Sequence, residues 1–242
     1  MVSALRSLLF LLFQVVVTPF YAFAMLAMAW APRVTTFNMA RSWCGVNLWG
    51  ARTICGIRWH VDGLHNLPPD PDRHPHIVLS KHSSTWETLS LTQFFPPLAY
   101  VAKKELLSLP FFGWGFALAS PITIDRKAGM NAMQQIVEQG RERFRQRFWI
   151  AIYPEGTRIR VGTRAKYKTG GARLAIALNV PVIPVAHNAG YLWPKGIFGK
   201  KPGTITMTIG PPLSPGGKEP AAFMQEVESW IESEVARLGV PS

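Results

Sequence analysis

A long apolar segment at the N-terminus constrains this chain more than any other feature of its sequence. Between Arg6 and Arg33 nearly every residue is apolar, and Gln14 and Thr18 are the main interruptions. As a helix rising about 1.5 Å per residue, the segment is roughly 35–40 Å long, enough to cross the hydrocarbon core of a bilayer. It is too long for the apolar region of a signal peptide. The segment therefore predicts a membrane-associated protein.

The arrangement of this segment in the membrane stays open at this point. Pro19 permits a kink, so a re-entrant or interfacial hairpin is an alternative to a straight span. Residues 34–59 contain three tryptophans, three arginines and no acidic residue, which is typical of a helix at a membrane surface. A core helix of the following domain is the alternative. Because arginines accumulate on the cytoplasmic side, we expect the remainder of the chain there.

From residue 60 onward, short apolar runs alternate with helix-like segments. Five runs predict buried strands, at 76–80, 99–102, 121–124, 149–153 and 182–186. Helix-like stretches at 85–94, 128–147 and 169–178 lie between several of them. This alternation favours an α/β fold with a largely parallel sheet flanked by helices. A sixth run, 204–209, alternates as an edge strand does, and 219–238 predicts an amphipathic closing helix.

Length, charge and cysteine count limit the remaining possibilities. A chain of 242 residues accommodates one large core, so we divide it into a membrane-associated helical segment, 1–59, and a second domain, 60–242. Cys44 and Cys55 are too few for a disulfide framework or a structural zinc site and are expected as buried free thiols. The net charge of +12 indicates anionic partners: nucleic acid, phosphorylated small molecules or an anionic membrane.

Polar side chains follow each of the five predicted strands. They lie at 81–87, 103–105, 125–126, 154–158 and 187–188. Because ligands bind outside the carboxyl ends of parallel strands, we expect one cleft to collect them. A histidine, carboxylates and several cations in one cleft predict general base catalysis on a substrate that carries a phosphate.

Four stretches of the sequence, at or near the ends of these predicted strands, resemble the motifs of the glycerolipid acyltransferase superfamily. The stretch 82–87 is similar to its HxxxxD motif and 153–158 to its FPEGTR motif; 122–126 and 180–185 are similar to the second and fourth motifs. Four blocks in this order form a specific signature, most similar to that of the 1-acylglycerol-3-phosphate acyltransferases. The chain departs from the pattern at one position, since Glu87 stands where the family usually has aspartate.

The resemblance implies a catalytic pair. His82 would be the base that takes a hydroxyl proton, and Glu87 would orient the imidazole, as the carboxylate does in a Ser-His-Asp triad. The substrate alcohol replaces the serine of such a triad, so no acyl-enzyme is needed. The same residues have a structural interpretation, because Ser84 and Glu87 fit the capping box of the helix that follows.

The resemblance also implies a group of substrate-binding residues. Arg126 and Arg158 are the preferred pair for a phosphate, because guanidinium binds phosphate oxygens in a bidentate manner. Glu155 is expected to pair with an arginine and order its loop, and Gly156 to supply a backbone conformation that other residues disfavour. The remaining members of this candidate set are Lys103, Thr157 and Lys168.

The implied reaction transfers a fatty acyl group from acyl-CoA or acyl-carrier protein to the sn-2 hydroxyl of lysophosphatidic acid, in contact with membrane phospholipids. It needs no metal and no cofactor. Another lysolipid acceptor and a catalytically silent lipid-binding protein are the alternatives. Nucleic acid is disfavoured because no recognised binding motif accompanies the charge. The apolar stretch 109–116 is expected either to pack in the core or at the membrane, or to line an acyl-chain channel.

Overall fold

A computed structural model describes residues 2–71, 73–124 and 131–241 of the chain. The helices are α1 (Val2–Ala27), α2 (Arg33–Cys55), α3 (Trp86–Phe94), α4 (Phe112–Leu118), α5 (Asn131–Arg145), α6 (Gly170–Leu178) and α7 (Pro220–Leu238). The strands are β1 (Ile57–Asp62), β2 (Ile77–Ser80), β3 (Leu98–Lys103), β4 (Ile122–Ile124), β5 (Trp149–Ile152), β6 (Val182–His187) and β7 (Gly203–Ile209).

The strands form one seven-stranded sheet in the order β1-β7-β6-β2-β5-β3-β4. Strands β2 to β6 are all parallel to their neighbours within that group, and only the β6–β7 pair is antiparallel. Every residue of β2 and β6 is buried, as expected for strands covered by helices on both faces. The predicted α/β fold with a largely parallel sheet is confirmed, and the carboxyl ends of β2 to β6 meet at one edge.

Two details of the sequence prediction are wrong. Strand β7 is an interior strand, because β1 pairs with it in parallel on the side away from β6. The helix expected over 34–59 ends at Cys55. Gly56 caps its C-terminus in a left-handed conformation with φ 71°, and its N–H donates to the carbonyl of Ala51. Ile57 then enters β1 fully buried, so this strand crosses the expected boundary at 59/60 and belongs to the sheet.

Helices α1 and α2 pack against each other as a hairpin. Helix α1 continues through Pro19, and Gln14 Nε2 donates to Asn47 Oδ1 of α2 at 2.9 Å. Phe10 is fully buried against the domain. One stripe of α1 stays exposed and apolar, namely Leu5, Leu8, Leu9, Leu12, Val15, Val16, Phe20, Phe23 and Leu26. Among the described helices, α1 alone is long and apolar enough to cross a membrane. This exposed stripe indicates a membrane location.

Helix α2 contributes to the core of the molecule as well as to its surface. Phe37 is buried and packs edge-on against Phe148, and Cys44 and Cys55 are buried free thiols, as predicted. Trp49, by contrast, is 59% exposed. One face of α2 is therefore part of the core, and the opposite face is exposed as a surface helix would be.

Candidate active site

His82 lies in the turn between β2 and α3, at the carboxyl edge of the sheet. Its Nδ1 is 2.9 Å from Oε1 of Glu87, and its ring stacks on that of Tyr153 with centroids 3.9 Å apart. The His82 side chain is 14% exposed, whereas that of Glu87 is fully buried. The pair therefore consists of an accessible imidazole and a carboxylate held beneath it.

Glu87 both orients His82 and supports the turn before α3. Its Oε1 also accepts the main-chain N–H groups of Ser83 at 3.1 Å and Ser84 at 3.0 Å. The hydroxyl of Ser84 accepts the N–H of Trp86, not that of Glu87, so the capping box forms only in part. The catalytic and the capping interpretations thus apply to the same oxygen atom.

The environment of Glu87 keeps it ionised. Burial on its own raises the pKa of this carboxyl, but the hydrogen bonds that it accepts from His82 and from the N–H of Ser84 lower the pKa by a larger amount, so that the pKa lies below its ordinary value. An ionised carboxylate only accepts hydrogen bonds, so the proton of neutral His82 is on Nδ1. Its Nε2 then carries the free lone pair and can act as a base.

A second loop, residues 153–158, holds the main chain of His82. The His82 carbonyl accepts the N–H of Ile159 at 2.8 Å, and the His82 N–H donates to Oε1 of Glu155 at 3.2 Å. Glu155 is 4% exposed and pairs with Lys81 at 3.3 Å, so its partner among the described residues is a lysine and not the arginine expected from the sequence. Burial raises the pKa of the Glu155 carboxyl above its ordinary value even beside the Lys81 ammonium.

The remaining residues of this loop differ in their exposure. Gly156 adopts φ 71°, the left-handed conformation that the sequence predicts for it. Thr157 is exposed, and Arg158 is half-buried beside Ile159. The loop therefore carries Arg158 directly before Ile159, whose N–H binds the His82 carbonyl.

The other expected substrate-binding residues lie farther out. Lys103 is exposed at the end of β3, and Lys168 has an exposed side chain, while its N–H donates to the carbonyl of Pro154 at 2.9 Å. Arg126 lies outside the described residues. Within residues 2–71, 73–124 and 131–241, no three side chains of His, Cys, Asp or Glu form a group suited to a metal ion.

His187 is a member of this site to which the sequence assigned no role. It ends β6, is fully buried, and its Nε2 donates to the carbonyl of Lys81 at 2.9 Å. Its Nδ1 accepts the N–H of Ala189, which defines a neutral ring, and burial lowers its pKa. Nε2 also lies 3.7 Å from Oε2 of Glu87. Its position at a strand end was the only sequence signal for this contact.

An apolar cavity of about 180 Å³ opens between the helical hairpin and the sheet. Thr85 and Thr88, just after the turn of His82, lie at its wall together with Arg158. The rest of the wall is formed by α1, α2, α3, β3 and α4 with the residue before it, including Ala22, Met25, Phe37, Trp43, Cys44, Leu89, Tyr100, Phe111, Phe112, Gly115 and Phe116. The stretch 109–116 therefore contributes side chains to a cavity that extends from the site toward the membrane helices.

Comparison with known proteins agrees with this fold and places the chain in a family. A family model described as Acyltransferase matches residues 58–188. A 1-acyl-sn-glycerol-3-phosphate acyltransferase from Pseudomonas aeruginosa is 44% identical over 203 residues, which cover 83% of this chain and 77% of that one. The alpha form from Mus musculus is 32% identical over 177 residues, 70% of this chain and 60% of that one. The chain belongs to the acyltransferase family.

A solved structure shares the fold over nearly the whole chain. The crystal structure of the 1-acyl-sn-glycerophosphate acyltransferase from Thermotoga maritima superimposes with a TM-score of 0.79, covering 98% of this chain and 95% of that one at 24% sequence identity. The N-terminal helices and the sheet are thus common to both proteins.

Proposed function

We propose that this acyltransferase moves a fatty acyl group from acyl-CoA or acyl-carrier protein to the sn-2 hydroxyl of lysophosphatidic acid and so produces phosphatidic acid. The observation that carries the proposal is the 2.9 Å contact between His82 Nδ1 and Glu87, which leaves Nε2 of an accessible imidazole free to accept a proton. The names of the relatives from Pseudomonas and mouse support the choice of acceptor.

The chemistry follows from this pair. Nε2 of His82 takes the hydroxyl proton while the hydroxyl oxygen bonds to the thioester carbonyl carbon. Collapse of the tetrahedral intermediate breaks the carbon–sulfur bond, and the imidazolium returns the proton to the leaving thiolate. Glu87 stabilises the imidazolium through its negative charge. The acceptor itself is the nucleophile, so the acyl group passes directly from donor to acceptor.

Cations around the edge of the sheet bind the acceptor phosphate in this proposal. Arg158 precedes Ile159, whose N–H binds the His82 carbonyl. Lys103 ends β3, and Arg126 follows β4 in the sequence. A phosphate held by Arg158 stands at a set distance from the hydroxyl that His82 deprotonates. Gly156 and Thr157 shape the loop that carries this arginine, and Lys168 provides a weaker, exposed charge.

The apolar cavity accommodates an acyl chain. Its wall is almost wholly apolar and begins at Thr85 and Thr88, beside the turn of His82. An acyl chain placed there leaves its thioester carbon near the edge of the sheet. The far end of the cavity is lined by α1 and α2, so a chain drawn from the bilayer enters without crossing water.

We further propose that α1 lies in the plane of the membrane on its cytoplasmic side. Ser3 at one end of α1 hydrogen-bonds to the carbonyl of Lys200, and Phe23 near the other end packs against Trp114. The domain thus holds both ends of the helix, while the outward apolar stripe between them faces lipid. Residues 1–61 carry five arginines and no acid, which favours an anionic cytoplasmic surface.

Cysteine labelling tests this arrangement. Val2→Cys and Trp30→Cys place a thiol at each end of α1, where the native side chains are exposed, and the buried Cys44 and Cys55 give a low background. An impermeant maleimide should label both positions from the cytoplasmic side in inverted vesicles. Labelling of one end only from each side would establish a span instead.

The reaction is tested with purified protein in detergent, lysophosphatidic acid and labelled acyl-CoA or acyl-carrier protein in separate arms. His82→Ala should lower the rate by roughly 10²–10⁴-fold while folding and membrane association persist. His65→Ala, at an exposed position, is the matched control and should keep full activity. Near-normal turnover in His82→Ala would contradict the role of His82 as the base. Product formed only from another lysolipid would contradict lysophosphatidic acid as the acceptor.

A further inference from the structure

A buried charged network lies behind the main chain of His82. The Lys81 ammonium is 2.6 Å from Oε1 of Glu232 and 3.3 Å from Oε1 of Glu155. The hydroxyl of Tyr167 donates to the same Glu232 oxygen at 2.8 Å. All four side chains belong to residues that are at most 9% exposed. One buried cation therefore contacts two carboxylates that come from distant parts of the chain, and the exposed Arg164 lies 3.8 Å from the other oxygen of Glu232.

Helix α7 reaches the main chain of the proposed base through this network. Glu232 belongs to α7, which lies beyond the matched acyltransferase region at 58–188. Lys81 directly precedes His82, and Glu155 accepts the His82 N–H. The chain of contacts thus runs from Glu232 to Lys81, from Lys81 to Glu155, and from Glu155 to the main chain of His82.

The network needs its cation. Two carboxylates buried on one ammonium repel each other when the ammonium is removed, because little water is present to screen them. Oε2 of Glu155 has no hydrogen-bond partner among the described residues, and both the hydrogen bond from the His82 N–H and the ion pair with Lys81 fall on Oε1. If Lys81 moved, Glu155 would therefore move with it, and the hydrogen bond from the His82 N–H to Glu155 would be displaced.

We infer that Glu232 and Lys81 are positioning residues: Glu232 holds the Lys81 ammonium against Glu155, and Glu155 holds the main chain of His82 in the place from which Nε2 meets the acceptor hydroxyl. The inference rests on the proposed function of His82. It assigns α7 a part in turnover that acts through Lys81 and Glu155.

The test compares two carboxylates of the same helix. Glu232→Gln should lower kcat about tenfold and leave the KM for lysophosphatidic acid within about twofold, because the acceptor site is untouched while the base is misplaced. Glu228→Gln, one turn earlier on α7 and lining the same surface cleft as Glu232, is the matched control and should behave as wild type. Glu232→Asp, which keeps the charge, should retain more of kcat than Glu232→Gln.

A second substitution distinguishes positioning from a general loss of stability. Lys81→Met removes the buried cation between Glu155 and Glu232, and Arg164, which is 78% exposed and 3.8 Å from Oε2 of Glu232, screens the pair poorly, so adding Glu232→Gln to it should raise kcat again. A further loss of kcat in the double variant would show independent effects and overturn the inference. Should Lys81→Met not fold, the comparison of Glu232→Gln with Glu228→Gln decides.

The inference and the proposed function fail in different ways. Wild-type kcat in Glu232→Gln, together with an inactive His82→Ala, would overturn the positioning role alone. Activity in His82→Ala would overturn the proposed function itself.

Discussion

The carbonyl of His82 accepts a hydrogen bond of 2.8 Å from the N–H of Ile159, which joins the turn after β2 directly to the loop after β5. Arg158 precedes this contact in the chain and lines the apolar cavity. The guanidinium and the imidazole are therefore carried by two loops that cannot shift independently. This coupling makes the role of Arg158 testable through both binding and turnover.

Arg158→Ala should raise the KM for lysophosphatidic acid tenfold or more, because a charge-assisted hydrogen bond contributes about 1.5–3 kcal/mol. The KM for the acyl donor should change much less. Arg158→Lys should rescue only in part, since lysine keeps the charge but loses the bidentate fork. Steady-state kinetics with each substrate varied in turn provide the measurement. Arg160→Ala, at an exposed position in the same basic loop, is the control, and an equal effect there would point to general electrostatic attraction.

Glu87→Gln should lower kcat by roughly 10²–10⁴-fold, because a neutral amide cannot stabilise the imidazolium of His82. It should also lower the free energy of unfolding by about 0.5–2 kcal/mol, since the same oxygen accepts the N–H groups at the start of α3. Rates and thermal melts are measured on the same samples, with the exposed Glu142→Gln as the control. A loss of stability with normal turnover would show that Glu87 caps α3 and does not assist His82.

Gly115→Leu should shift the preferred acyl chain toward shorter lengths. Gly115 lines the cavity, and a Cβ there would meet only the Met25 sulfur, at 3.3 Å, so a larger side chain fills space that a long acyl chain would occupy. Activity against a series of acyl donors of increasing length provides the measurement. Ala117→Leu, at an exposed position of α4, should leave the preference unchanged. An identical preference in both variants would place the acyl chain elsewhere.

His187 should make the fold sensitive to mild acid. Burial lowers its pKa below the ordinary value of 6.5 although Glu87 opposes the shift, so the unfolded chain binds the proton first as the pH falls. The stability contributed by neutral His187 is complete above pH 6.5 and is lost as the pH falls toward the folded-state pKa, by at most about 1.4 kcal/mol per pH unit. Urea unfolding in detergent at a series of pH values should therefore show a shallower decline for His187→Gln. Parallel curves for the two proteins would contradict this account.

The central strands and the edge that carries the site were predictable from local patterns. Strands buried on both faces need near-continuous apolar runs, and 182–186 is an example that β6 bears out. Because parallel strands end at one edge, the polar residues that follow them were expected to meet there, and His82, Glu155 and His187 do.

Strand β1 was not predicted, because the pattern of the residues just before it favoured a helix that continued through it. Ile57, Trp59 and Val61 alternate with polar residues, a period of two that indicates a strand. The tryptophans and arginines of 34–59 instead favoured one continuous surface helix. Since β1 pairs with β7, which is distant in the chain, its absence from the prediction also turned an interior strand into an edge.

Local composition, periodicity and short motifs were enough to predict the membrane location, the α/β class and an acyltransferase. Which side chains meet in the site depended on the tertiary structure. The pairing of Glu155 with Lys81, the contact of His187 with the Lys81 carbonyl and the reach of Glu232 from α7 all join residues far apart in the chain. Such contacts depend on how the strands are ordered and how the helices pack on them, and local sequence patterns specify neither.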